Sequence, residues 1–367
     1  MNISGQLVLE DRIVSASMSF DAMIGEITPQ ADMPERYILP GFIDGHVHGG
    51  DGADTMDGVD AIHRLSRFHL SHGTTTILPT TITRPWADVM DALHAVAEVW
   101  RTGIPDGPQV HGAHLEGPFV SPHRLGAQPP FAIAPDPFHV EQALSTGVVR
   151  VVTLAPELEH AETAMEAFAG AGVRVSLGHT VTDYEGAERA ICRICAAGGV
   201  AGATHLFNAM APIESRRPGP VTALMCSDAA YAEMIFDTHH VHPATFRLAH
   251  RVMGARLLFV TDAMRGTGGG DGISQLGGQT VHIHNGVARL ENGSLAGSVL
   301  TLDVALRNAV DAGMSLSDAA SLVSTNPARY LGLEDRGVLA PGRRADFVVM
   351  NNALRIEEVW VGGKRLH

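Results

Sequence analysis

Short runs of β-branched and aliphatic residues alternate with amphipathic stretches through the middle of the chain, the pattern expected of repeated strand–helix units. The spacing predicts eight strands, at residues 41–46, 75–79, 110–116, 150–155, 174–178, 202–207, 232–237 and 257–261. Between the second and third, Trp86, Val89, Met90, Leu93, Val96, Ala97 and Trp100 recur at helical spacing. Thr83 is the expected N-cap of that helix, with Pro85 in its first turn, where a missing N–H costs little. A second helix is expected after Thr182, with Ala187, Ile191 and Ile194 on one face.

Eight such units within about 220 residues predict an α/β chain whose residues 41–335 form a closed, parallel (β/α)8 TIM-like barrel, although a doubly wound sheet gives similar local patterns. The polar residues favour the barrel. His46 and His48, Glu116, His179, His205 and Asp262 fall at the C-terminal ends of different predicted strands, and in a barrel those ends converge on one mouth. Residues 1–40 and 336–367 lack the alternation; short strand signals at 6–9, 12–15, 346–350 and 358–361 predict one small β-sandwich domain built from both chain ends. Residues at about 266–298 are rich in glycine and read as an insertion after the eighth strand, with Asn285-Gly286 suited to a type I′ hairpin turn.

Composition narrows the chemistry. The 367 residues suit one large barrel or two domains. Against 40 acidic residues stand 26 Lys and Arg, a net charge of −14, which argues against a nucleic-acid or membrane-surface partner. No run of about 18 apolar residues is present to span a bilayer. The opening MNISGQLVLEDRIV lacks the basic and apolar regions of an export signal, and Cys192, Cys195 and Cys226 are too few for a disulfide framework, so a cytoplasmic protein is expected. Lys364 is the single lysine. A Schiff-base or P-loop lysine is therefore disfavoured, and the 20 histidines and the carboxylates are left to carry any chemistry.

His46 and His48 stand at i and i+2 on a predicted strand, so both imidazoles project to the same face and can reach one cation. Glu116, His179 and His205, from three other strand ends, supply one carboxylate and two further nitrogens, enough for one or two sites for a borderline divalent metal. Asp262 adds a carboxylate that can take a proton from a metal-bound water and return it to a leaving group.

The segments PGFIDGHVHG, HLEGPF, GHT, THLFNAM, TDAM and GVLAPGRRADFVVM together resemble the amidohydrolase superfamily and, within it, the sugar-phosphate N-deacetylases that act on N-acetylglucosamine 6-phosphate. The resemblance runs from about residue 38 to the C-terminus. It implies that Glu116, His179 and His205 bind a catalytic divalent metal, zinc first with iron, manganese or cobalt as alternatives. Because His46 and His48 are retained, it implies capacity for two ions bridged by Glu116. Many amidohydrolases bridge with a carboxylated lysine, and the barrel segment has none. Asp262 is implied to activate the water that attacks the acetamide and to protonate the departing amine, releasing glucosamine 6-phosphate and acetate. Asn208 and Ala209 match a phosphate-contacting segment and His240 a phosphate-contacting histidine. Arg216 matches an arginine that reaches the substrate of a neighbouring subunit, which implies a homodimer. Its neighbour Arg217 is set aside on its spacing from His205. Leu295, Ala296 and Gly297 match a loop that closes over the sugar.

One departure stands out. Where the resemblance leads one to expect Gly-Ala-His, this chain has Gly126-Ala127-Gln128, so a neutral glutamine, which donates a hydrogen bond but carries no charge, replaces a histidine that helps hold the acetyl group. The alternatives are deacetylation of the galactosamine epimer, another amidohydrolase activity such as deamination or cyclic-amide hydrolysis, and a barrel that binds a sugar phosphate without catalysis. Other features read as structural. Cys192 and Cys195 are expected to pack, His282 and His284 to lie on the surface, Gly266 to Gly272 to form a mobile loop, and His63, His69, His94 and His250 to be helix-surface residues.

Overall fold

A computed structural model describes residues 1–31 and 34–367; the other two positions of the expected terminal domain lie outside the described residues. Parallel strands follow one another in sequence order: Phe42–Val47, Thr74–Pro79, the interrupted strand Gln109–Val110 and Ala113–Glu116, Val149–Leu154, Arg174–Leu177, Ala201–Ala203, Ala232–Met234 and Leu257–Phe259. Successive members pair in parallel, the sixth meeting the seventh at Ala201 and Ala230. The eighth returns to the first through the parallel bridge Val47–Ala263 and the bond from Asp262 N to His46 O, closing the ring.

Most of these strands are buried along their whole length, and their Val, Ile, Leu and Ala side chains join the largest apolar cluster, shared with the surrounding helices. Near strands seven and eight, Phe236, Phe246 and Phe259 pack with ring centroids 4.2–5.5 Å apart. Each is fully buried, and burying a side chain of this size stabilises by roughly 1.5–3 kcal/mol. The aromatic block braces the strand that carries Glu233 and the strand that Asp262 follows.

Several local expectations are corrected. The helix between the second and third strands runs Trp86–Thr102 with Pro85 as its N-cap; Thr83 is buried and its N–H donates to the Gln128 side chain, so it makes no cap. The helix after Thr182 is Tyr184–Ala196, capped by Asp183, with Ala187, Ile191 and Ile194 buried as expected. The sixth strand ends at Ala203 because the chain turns there, with positive φ at His205, Phe207 and Ala209. Cys192 and Cys195 are exposed rather than packed. His69 is fully buried, its Nε2 2.9 Å from the Gly49 carbonyl oxygen, and is not a surface residue.

Seven strands from residues 2–40 and 347–365 are hydrogen-bonded in one mixed sheet, with Arg36–Pro40 paired to Phe347–Asn351. Its core is Leu7, Met18, Phe20, Ile38, Phe347 and Val349. The glycine-rich insertion is a three-stranded antiparallel sheet, with Asn285 and Gly286 both at positive φ in the hairpin turn. Its core of Leu276, Val281, Ile283 and Ala296 packs on Ile82 and Met264 beside the open ends of the strand ring.

Candidate metal centre

His179, His205 and Asp262 each follow a strand of the ring with φ between 33° and 48°, in the left-handed region that His and Asp tolerate better than most residues but still adopt at a cost. These turns bring their side chains in beside those of His46, His48 and Glu116. Gly297 at φ 54° lies so close that a Cβ there would sit 3.0 Å from the Asp262 carbonyl oxygen, which explains a glycine at that contact.

The six residues meet in one buried cluster. His46 Nε2 and His48 Nε2 are 3.3 Å apart. Glu116 Oε2 is 3.1 Å from His48 Nε2 and 3.6 Å from His46 Nε2, and Asp262 Oδ1 lies at the same two distances. On its other side Glu116 Oε1 is 3.2 Å from His179 Nε2 and 3.1 Å from His205 Nε2, which are 3.0 Å from each other. Ligand atoms bound at about 2.0–2.1 Å around one tetrahedral ion lie about 3.3 Å apart, so both groups have the spacing of a ligand shell. The nitrogen and carboxylate donors suit a borderline divalent cation.

The electrostatics point the same way. Among the described residues, the ionic partners of Glu116 and Asp262 are all histidines. Burial works against ionisation throughout, yet His46 and the imidazoles bonded to Glu116 hold its carboxyl well below the usual range, and His46 and His48 hold Asp262 below it. Against the same burial, Glu116 and Asp262 hold His46 well above its ordinary range, and Asp262 and Glu116 raise His48 to about 9. The cluster therefore recruits positive charge, and a divalent ion would take the place of those protons.

Around this centre opens a cleft of about 320 Å³ lined by Ala127, Gln128, Asn208, Ala209, His240, Leu295 and Gly297 as well as His48, Glu116, His179, His205 and Asp262. Gln128 donates from Nε2 to Glu116 Oε2 at 2.6 Å and accepts the Thr83 N–H at 2.7 Å. His240 sits with Nδ1 2.7 Å from Asp237 Oδ2, while Asp237 Oδ1 accepts the His239 and His240 N–H groups. Two of the expected substrate residues lie elsewhere. Ala296 is buried in the core of the insertion, and Arg216 is on an exposed loop outside the cleft.

No sequence motif marks Glu233, Ile82, Ile235 or Leu276. The last three line the cleft, and Glu233 lies behind His46. Glu233 had a readable signal, a carboxylate inside an apolar strand, since an acidic side chain is seldom fully buried without a partner.

Residues 37–366 match the Amidohydrolase family. This chain belongs to that family. Among its relatives are an N-acetylgalactosamine-6-phosphate deacetylase of Escherichia coli O157:H7, 37% identical over 354 residues, covering 94% of this chain and 92% of the relative. An N-acetylglucosamine-6-phosphate deacetylase of Lysinibacillus sphaericus is 37% identical over 335 residues, covering 90% and 85%. The structure superposes on an N-acetyl-D-glucosamine-6-phosphate deacetylase of Mycobacterium smegmatis, solved as an aspartate-to-alanine variant with N-acetyl-D-glucosamine 6-phosphate, at TM-score 0.92 and 32% identity over 100% and 99% of the two chains. The Thermotoga maritima N-acetylglucosamine-6-phosphate deacetylase gives 0.91 at 28% identity over the same shares. The clusters His46, His48, Glu116 and Glu116, His179, His205 are spaced so that each can hold a metal ion. No helix among the described residues is long and apolar enough to cross a membrane.

Proposed function

We propose that this amidohydrolase removes the acetyl group of N-acetyl-D-glucosamine 6-phosphate, giving D-glucosamine 6-phosphate and acetate. The observation that carries this reading is the position of Glu116, one oxygen against His179 and His205 and the other against His48, at the wall of a cleft that also holds Asp262 and His240. The names of the relatives supply the substrate class. In this reading the ring of parallel strands is a (β/α)8 barrel with its active site at the C-terminal mouth, residues 41–335 form the catalytic domain, and both chain ends form a small β domain.

His46 and His48 with Glu116 would hold one ion and Glu116 with His179 and His205 a second, zinc in the first instance. Such ions polarise the amide carbonyl and acidify water at neutral pH. The remaining work falls to the chain. Asp262 accepts the proton of the attacking water and passes it to the sugar nitrogen as the carbon–nitrogen bond breaks. Gln128 keeps Glu116 in register. His240, backed by Asp237, meets the phosphate together with the Asn208–Ala209 turn, while Leu295 and Gly297 border the sugar.

Arg216 has no ionic partner among the described residues, whereas Arg217 pairs with Glu214 at 3.0 Å. An exposed, uncommitted arginine outside its own cleft supports a homodimer in which Arg216 reaches the phosphate held by the neighbouring subunit. In this reading the enzyme is cytoplasmic and its substrate a phosphosugar.

A second reading, deacetylation of the galactosamine epimer, is favoured by the fuller coverage of the Escherichia coli relative at the same identity. Acetate release from both epimers, measured on protein with its metal content determined, separates the two. Higher kcat/KM on the glucosamine epimer is expected; faster turnover of the galactosamine epimer selects the second reading. No release from either with zinc, iron, manganese or cobalt restored rejects both.

A further inference from the structure

Glu233 lies at the centre of the seventh strand, Ala232–Met234, and is 1% exposed. Its Oε2 is 3.0 Å from His46 Nδ1 and its Oε1 has no hydrogen-bond partner. Among the described residues its only ionic partners are His46 and, at 3.9 Å, His114. A carboxylate this deeply buried is costly without a compensating role.

His46, His114 and Glu233 are close enough to suggest a third cation site, but the hydrogen bonds exclude it. His114 Nδ1 is 3.1 Å from the Gly45 carbonyl oxygen, which can only accept, so that nitrogen carries the proton and has no lone pair to offer. The other ring nitrogen of His114 faces Thr153 at 2.8 Å. His114 therefore serves as a wall, its ring edge-on to His46 at a centroid distance of 4.5 Å.

His46 is held in a corresponding way. Its Nδ1 proton faces the Glu233 carboxylate, so an ion that displaces the proton from Nε2 meets a lone pair directed toward His48, Glu116 and Asp262. The four imidazoles of the centre differ in this respect. His179 Nδ1 is held by the Arg124 carbonyl oxygen at 2.8 Å, while His48 Nδ1 and His205 Nδ1 have no partner. Each half of the centre thus has one anchored imidazole, by a carbonyl on the His179 side and by a carboxylate on the His46 side. A carboxylate anchor also makes the imidazole a stronger donor.

We propose that Glu233 is a positioning residue that fixes the tautomer and orientation of His46, and thereby sets the affinity of the His46/His48 half of the centre separately from that of the His179/His205 half. This rests on the two-ion reading above. The test loads full-length wild type, Glu233→Gln and Glu233→Leu with zinc, dialyses each against a graded series of competing chelator, and counts zinc per chain by mass spectrometry. Wild type is expected to retain two ions. Glu233→Leu should release one of them about 10–100-fold more readily and keep the other at wild-type affinity, the usual scale for loss of such an anchor. Glu233→Gln, whose amide oxygen still accepts the Nδ1 proton but carries no charge, should fall between them, and as the isosteric change it carries the test where the leucine variant does not fold. Two ions at wild-type affinity in Glu233→Gln and in any folded Glu233→Leu overturn the proposal, as does equal weakening of both ions. A single ion in wild type instead rejects the two-ion reading on which the proposal stands.

Discussion

Gln128 donates its side-chain amide to Glu116 at 2.6 Å, on the same carboxylate oxygen that faces His48 at 3.1 Å. Because Gln128 Oε1 accepts the Thr83 N–H, the amide cannot flip without breaking both bonds. The position read from sequence as a contact to the acetyl group is thus tied to the shared carboxylate.

Replacing Gln128 by Ala strips a hydrogen bond from a buried carboxylate and orphans the Thr83 N–H. Hydrogen bonds to charged groups contribute roughly 1.5–3 kcal/mol, so kcat/KM is expected to fall by about 10–100-fold. Steady-state acetate release checks this, and an unchanged value would remove Gln128 from the working centre.

Asp262→Asn should reduce kcat by about two to four orders of magnitude, the usual contribution of a general acid–base group, because an amide accepts no proton at neutral pH. The His179/His205 half does not contact Asp262, so at least one ion per chain should remain. Rate and metal analysis on one preparation decide it; near-wild-type turnover would reassign the proton carrier.

Arg216→Ala should chiefly raise KM, since phosphate binding is largely shared by ground and transition states. Arg217→Ala, which removes a partner of Glu214 on an exposed loop, should leave KM within about a factor of two, as exposed ion pairs contribute little. Equal effects of the two changes would argue against the intersubunit contact.

Burial lowers the pKa of His69 to about 4. The folded protein therefore holds this imidazole neutral while the unfolded chain, with a pKa near 6.5, takes up a proton. The contribution of His69 is therefore intact above pH 6.5 and declines as pH falls toward 4, below which the loss is complete. The full effect is about 3 kcal/mol at roughly 1.4 kcal/mol per pH unit. His69→Gln keeps a donor for the Gly49 carbonyl oxygen without the titration. Denaturant unfolding at pH 7 and pH 4.5 should show a smaller acid loss for the variant than for wild type; parallel losses would show that another group dominates.

The strand–helix alternation, the terminal β segments, the hairpin turn at Asn285-Gly286 and the six polar residues that meet in the buried cluster were legible in the sequence, because each depends on local rules: side-chain periodicity, turn chemistry and polar residues at strand ends. What the chain order could not express was contact between distant segments. Glu233 meets His46 only because the seventh strand lies within reach of the first across the ring, and Gln128 meets Glu116 only because its loop folds back under Thr83. Burial of His69, exposure of Cys192 and Cys195, and removal of Ala296 from the cleft were likewise settled by packing, since a side chain's surroundings depend on which elements close over it. Residue type and position at strand ends thus point to the candidate donor atoms, whereas how each is oriented depends on packing, because the groups that hold them come from far away along the chain.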